Sequence, residues 1–298
     1  MESKKDVFEM GKLKVQEKKI NIEDSSSPPK PLLIVTPSDS GTYPVVLFLH
    51  GFLLSNHHYS QLLNHISSHA FILVAPQLSV ILPCSTGDIT GAAKVTDWLA
   101  GNLQALLPTG VEANLQELAL AGHSRGGHAA FSLILGSTKT TLQFSALIGV
   151  DPVAGPSKCY QIPPRILTGK PSSMELGIPA MVIGSGLGEK KKNMFLPACA
   201  PEGVNHNEFY YECKPPCYHV VVKDYGHLDM LDDDAPKVTK CMCTNGVNCR
   251  DLMRRSTGGI MVAFLKAYLM GDDDSLEAIF DDSLVAPAEL SPLERRLE

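Results

Sequence analysis

The segment Gly122-His123-Ser124-Arg125-Gly126, followed by Gly127, lies between an apolar run ending at Ala121 and a segment rich in alanine and leucine. Small residues two places to either side of a serine permit a tight strand-to-helix turn. Such a turn lifts the hydroxyl above the carboxyl edge of a sheet, at the positive end of the next helix. That is where a nucleophile for acyl transfer would stand. A hydroxyl attacks only if a base takes its proton, and ten histidines are available. His57, His58, His65 and His69 lie in or beside a helical segment ahead of the serine, and His123 and His128 flank its turn. His206 and His219 fall in an irregular region and at a strand start. His227 stands on the loop Asp224-Tyr225-Gly226-His227, just past a late strand, from which a base can reach over the nucleophile. A carboxylate must then hold the imidazole's tautomer. Asp151 ends the strand SALIGV before Pro152, in apolar surroundings that suit a buried orienting acid. Glu189 follows the next strand, AMVIG, at a position that suits the topology, but it adjoins Lys190, Lys191 and Lys192. The residues alone leave both open. The oxyanion of a tetrahedral intermediate needs amide donors. The turn His50-Gly51-Phe52 can supply the N–H of Phe52, and the residue after the serine supplies that of Arg125.

These side chains need a frame, and the apolar pattern provides one. Val45–Leu49 and Phe71–Ala75 are continuous aliphatic runs, as expected of strands buried on both faces. Leu118–Ala121, Ser145–Val150, Ala180–Ile183 and Val220–Lys223 read the same way. Helical spacing marks Tyr59–His69, Asp88–Leu107, Gly127–Leu135 and Ser256–Leu269. Strand and helix alternate without an internal linker, which predicts one mostly parallel, doubly wound α/β sheet with helices on both faces. The expected organisation is a charged and flexible lead-in over 1–30, with an edge strand near Lys14–Ile22, then a single catalytic domain over 31–270. An acidic C-terminal tail over 271–298 would follow.

Composition narrows the function. The chain of 298 residues is 44% hydrophobic and 19% charged, which excludes a largely disordered protein. Its net charge is -6 and its last 28 residues hold nine acids against two arginines, so no basic patch for nucleic acid is left. The longest apolar stretch, Ile260 to Met270, is interrupted by Lys266 and is too short to span a bilayer. The start, MESKKDVFEMGKLKV, lacks a secretory core and carries acids, so the expected location is the cytoplasm, or the chloroplast if a targeting extension has been removed. No G-x-G-x-x-G follows an early strand and no P-loop occurs, so no cofactor is expected. Asp232-Asp233-Asp234 reads as a solvated loop, and no metal is expected. Of the eight cysteines, six follow residue 198. Cys213 and Cys217 with Cys241 and Cys243 fit zinc spacings poorly, leaving a loop disulfide or free thiols.

The segments PLLIVTPS, FLHG, VAPQL, GHSRGG, IGVDPVAG, IGSGLG, CAPEGVNHNEFYYEC, DYGHLDMLDDD and RRSTGGIMVAFLKAYL together resemble those of plant chlorophyllases. These are α/β-hydrolases that cleave the phytyl ester of chlorophyll. The resemblance runs from about Pro31 to Leu269. It implies an α/β-hydrolase fold with Ser124 as nucleophile, Asp151 rather than Glu189 as acid, and His227 as base. The implied partner is chlorophyll, met through transient contact with pigment-bearing membranes. Phytol would leave from a Ser124 acyl-enzyme, and water would release chlorophyllide. Leu53, Leu54, Ile81 and Leu82, near Phe52 and after the second core strand, are candidates to receive the phytyl chain. Two other readings are a broader esterase of the same fold and a receptor that kept the pocket without turnover.

Overall fold

A computed structural model describes residues 6–23, 27–79, 85–281 and 285–298. Within them nine strands form one sheet in the order β1-β2-β4-β3-β5-β6-β7-β8-β9. The strands are β1 (Val15–Ile20), β2 (Leu32–Pro37), β3 (Gly41–Leu49), β4 (Ile72–Pro76), β5 (Val111–His123), β6 (Ala146–Val150), β7 (Ala180–Ser185), β8 (Cys217–Val222) and β9 (Leu290–Arg296). From β4 through β8 every pairing is parallel, while β1, β2 and β9 pair antiparallel at the two margins. The expected mostly parallel α/β sheet is present. β2 escaped the sequence reading because prolines bracket a run of only five further residues.

Alternation along each strand divides the core into two layers. Val46 and Phe48 of β3 face one side, against Leu62, Leu63 and Ile66 of α1 (Ser60–Ser67) and the run Ile260–Leu265 of α6 (Arg250–Leu265). Val45, Leu47 and Leu49 face the other side, against Ala92, Val95 and Leu99 of α2 (Ser85–Asn102) and Phe131 of α3 (Arg125–Ile134). With helices on both faces, the carboxyl ends of the parallel strands open onto loops alone. A site in such a sheet belongs there.

The two ends of the chain depart from their compositional reading. Val7 and Phe8 are buried against α6, and Arg255 Nε donates to the Phe8 carbonyl at 3.0 Å. Residues 271–298, expected as a solvated acidic tail, instead supply the helix α7 (Asp274–Asp281) and the edge strand β9. The acids averaged out an apolar pattern too sparse to see: Leu276, Ile279 and Leu290 are buried, and Arg295 pairs with Glu277 at 2.7 Å. Among the described residues no helix is long and apolar enough to cross a membrane.

Cys199 and Cys243 form a disulfide, and Cys213 and Cys217 are buried thiols. This bond joins the loop after β7 to the residue that ends α5 (Lys237–Met242), in the segment between β8 and α6. Asp232 is not a solvated acid either. Its carboxylate accepts the Gln61 N–H at 2.9 Å, and Asp233 takes the Arg254 guanidinium at 3.1 Å. Among the described residues no group of three or more potential ligands is arranged to hold a metal ion.

Candidate active site

Ser124 sits between β5 and α3 with φ 57° and ψ -122°, a region that L-residues enter only when the surroundings enforce it. Its N–H donates to the Val150 carbonyl at 3.0 Å, and its own carbonyl accepts from Val153 at 3.1 Å. The strained residue is thus held from the neighbouring strand. Gly122 is required for the turn, because a Cβ there would lie 2.3 Å from the Gly126 carbonyl oxygen. The hydroxyl is left at the carboxyl edge with 9% of the residue exposed.

Three loops converge on it. His227, on the loop after β8, places Nε2 2.8 Å from Ser124 Oγ. Its Nδ1 lies 2.7 Å from Oδ2 of Asp151, at the end of β6. Because the carboxylate only accepts, Nδ1 carries the proton and Nε2 is left to accept from the serine hydroxyl. Asp151 is fully buried with φ 41°. The Ser185 hydroxyl donates to its Oδ2 and the Ser185 N–H to Oδ1 at 3.3 Å. Burial alone would raise this carboxyl. The hydrogen bond from His227, the charges of His227 and His206 and the Ser185 hydroxyl outweigh it and hold the group at about 2. Asp151 is therefore an anion at any pH where the protein would work.

Glu189 does not enter this chain. Its Oε1 accepts from Asn205 Nδ2 at 2.7 Å and Asn207 Nδ2 at 3.2 Å, at the start of α4 (His206–Glu212). His206 faces His219 at 2.9 Å, and His219 faces Glu294 at 2.8 Å.

The turn after β3 lies directly against the serine: a Cβ on Gly51 would stand 3.2 Å from Ser124 Cβ. Arg125 opens α3, where first-turn amides lack an intrahelical acceptor. Its side chain turns away from the reaction side, pairing with buried Asp88 at 3.0 Å and lying 5.2 Å over the Phe52 ring. Of the apolar candidates, Phe52 and Leu53 are exposed at this edge, whereas Leu54 is buried beneath the turn with Cδ1 toward Gly51. Ile81 and Leu82 lie outside the described residues.

Sequence reasoning gave no role to Tyr59, His123 or Ser185, all of which touch Asp151, His227 or the turns beside Ser124. Nothing in their spacing marks them, since each acquires its partner from a distant loop. Tyr59 Oη lies 2.7 Å from His123 Nδ1, and His123 Nε2 lies 2.9 Å from the His227 carbonyl.

The buried imidazoles make stability pH-dependent. Burial above all holds His50, His65, His128 and His219 at about 4 and His123 at about 3. Between about pH 6.5 and 4 the unfolded chain therefore binds protons that these five side chains refuse. Their contribution is complete above pH 6.5 and shrinks as pH falls. Asp232, raised by burial to about 6, works in the opposite sense and cancels roughly one histidine. The remaining four cost about 5 kcal/mol per pH unit, at ~1.4 kcal/mol per group. Two units approach a typical total stability of ~5–15 kcal/mol. The melting temperature should therefore fall steeply from pH 6.5 and the protein should unfold near pH 4–5. Melting curves that stay flat from pH 7 to 5 would show that these imidazoles charge within the fold.

Comparison with known proteins places the chain. The sequence model of the Chlorophyllase family matches residues 3–297. The chain is 50% identical over 295 residues to Chlorophyllase-1 of Arabidopsis thaliana, covering 96% of this chain and 91% of that protein. It is 52% identical over 265 residues to Chlorophyllase-2 of the same plant, covering 86% and 83%. Chlorophyllase-1, chloroplastic, of Citrus unshiu is 46% identical over 289 residues, 93% of this chain and 85% of the relative.

Proposed function

The chain belongs to the chlorophyllase family, and from that premise we propose that it hydrolyses the phytyl ester of chlorophyll through Ser124, His227 and Asp151. It is a serine carboxylic-ester hydrolase. The observation that carries the mechanism is the unbroken hydrogen-bond chain from Ser124 Oγ through His227 to Asp151.

Ser124 Oγ attacks the carbonyl carbon of the ester on the porphyrin side chain while His227 Nε2 takes the hydroxyl proton. The imidazolium is stabilised by the Asp151 anion. Negative charge moves to the carbonyl oxygen, which the N–H groups of Phe52 and Arg125 receive. Collapse of the intermediate breaks the bond to the phytyl oxygen, and His227 returns its proton to that leaving group. Phytol departs and the porphyrin acyl group stays on Ser124. A water, deprotonated by His227, repeats the attack and releases chlorophyllide. Leu53 and the Phe52 ring, exposed beside the serine, offer an apolar path for the phytyl chain.

A membrane surface is the second partner in this reading. After β7, at the same edge of the sheet, Lys190, Lys191 and Lys192 lead into Met194 and Phe195, which are 90% and 91% exposed. The Thr244 hydroxyl holds the Lys190 carbonyl at 2.8 Å. Three lysines beside a bare apolar tip suit an anionic lipid surface, where each basic residue contributes about 1 kcal/mol. Two citrus relatives bear the word chloroplastic in their names, which sets the chloroplast beside the cytoplasm as a compartment for this chain.

The test is hydrolysis of chlorophyll a, with phytol and chlorophyllide quantified, in detergent and in vesicles containing phosphatidylglycerol. Turnover is expected in both. Changing Lys190, Lys191 and Lys192 together to Glu should lower the vesicle rate ~10-fold or more and leave the detergent rate within a few-fold. Absence of phytol in detergent overturns the substrate. Equal vesicle rates overturn the membrane contact alone.

A further inference from the structure

Gly51 is gripped on both sides by side chains whose proton positions follow from their partners. We propose that His50, Tyr59 and His123 are positioning residues that lock the oxyanion-side turn and the base loop to each other around Ser124. This rests on the reading of Ser124 as nucleophile and of the Phe52 N–H as an oxyanion donor.

The polarity of the network can be worked out from its ends. The His227 carbonyl can only accept, so His123 Nε2, 2.9 Å away, carries a proton. Burial keeps His123 neutral far below physiological pH, so its Nδ1 is bare. Tyr59 Oη, at 2.7 Å, must therefore donate to Nδ1, and burial pushes that phenol up, so it keeps its proton. The phenol's oxygen is then free to accept, and the Gly51 N–H donates to it at 3.1 Å. A single directed line runs from Gly51 N–H through Tyr59 and His123 to the backbone of the catalytic base.

The other side of Gly51 is fixed by the same logic. The Leu78 N–H donates to His50 Nε2 at 2.8 Å, so Nε2 is bare. The Gln77 amide also donates there, at 2.9 Å, with its own carbonyl occupied by the Asn56 N–H at 3.1 Å. The His50 proton is consequently on Nδ1, which donates to the Gly51 carbonyl at 2.8 Å. The peptide between Gly51 and Phe52 is planar and trans, so its N–H points opposite to that carbonyl. By holding the carbonyl, His50 sets the direction of the Phe52 N–H. A side chain at position 51 would meet His123 Nδ1 at 3.1 Å and Ser124 Cβ at 3.2 Å, so the gripped turn has no slack toward the nucleophile.

No member of this network takes up or gives a proton during the reaction. Its contribution is geometric: displacing a donor or base by ~1 Å can cost ~100-fold in rate. Tyr59→Phe deletes one oxygen and keeps the ring packed on Phe48, at a centroid distance of 5.0 Å. It should lower kcat ~10–100-fold on a soluble chromogenic ester and leave KM within ~3-fold. Affinity for an alkyl boronic acid, which forms a tetrahedral adduct on the serine, should fall in step with kcat. Affinity for a non-hydrolysable ether analogue should not move. His50→Asn keeps an N–H donor attached where Nδ1 was, and it should be ~10-fold more active than His50→Leu. This pair decides the matter should Tyr59→Phe fail to fold. A Tyr59→Phe enzyme within 2-fold of wild-type kcat, unchanged boronate affinity, or His50→Asn no better than His50→Leu would each overturn the proposal. The nucleophile assignment fails separately, through an active Ser124→Ala.

Discussion

Ser124→Ala is expected to lower turnover by ~10³-fold or more while the protein remains folded. The substitution removes one oxygen and keeps the Cβ, so the strained φ of 57° is no worse for alanine than for serine. Both backbone bonds that hold the turn, to Val150 and from Val153, survive because neither uses the side chain. Among the described residues, the hydrogen bond to His227 Nε2 is what that hydroxyl gives up. What remains is amide donors and a base with nothing to deprotonate except water, the condition in which such sites keep only residual catalysis. Steady-state kinetics on a chromogenic ester, with circular dichroism to check the fold, measures this. A purified variant with more than a tenth of wild-type turnover would make Ser124 structural.

Asp151→Asn should cost a similar factor, ~10³ or more, by a different route. An amide presents N–H or a weak acceptor to His227 Nδ1, so the imidazole is driven to the tautomer whose Nε2 carries the proton. It then cannot accept from Ser124, and its cation loses the buried anion beside it. Ser185 still has a carbonyl oxygen to bond, so folding should be little affected. Glu189→Gln is the control, because its carboxylate is engaged by Asn205 and Asn207 at the surface and touches neither histidine nor serine. It should stay within a few-fold of wild type. If Glu189→Gln is inactive and Asp151→Asn is active, the acid lies after β7 and the assignment is reversed.

Much of the site could be read in advance because its backbone demands are local. Ser124 needs glycines two residues away on either side, and they are visible in the chain. Asp151 and His227 each follow a strand that announces itself by continuous aliphatic character, so their place at the carboxyl edge follows from topology. The second carboxylate could not be dismissed from residues alone, since exposure of Glu189 depends on how its loop packs against α4. Tyr59, His50 and His123 were illegible as a set. The bonds of Tyr59 and His123 span 8, 64 and 104 positions and those of His50 reach up to 28, and each side chain would read as ordinary core without its partner. The C-terminal segment misled for another reason, because nine acids dominated a window in which only a few buried leucines and isoleucines decide the structure.

That segment has a consequence for the chain's behaviour toward its own copies. β9 covers β8 along its outer side, with Cys217 opposite Arg296 and Val222 opposite Leu290. A chain ended at Gly271, where composition suggests a natural stop, would leave β8 as an open edge. Six consecutive buried residues, Cys217–Val222, would then expose the backbone groups now bonded to β9, in an uncharged run ending in three valines. Such an edge recruits another strand, and the nearest supply at high concentration is a second molecule in the same condition. The last strand thus keeps the sheet finite, and its Pro292, Glu294, Arg295 and Arg296 make it a poor template for a further strand.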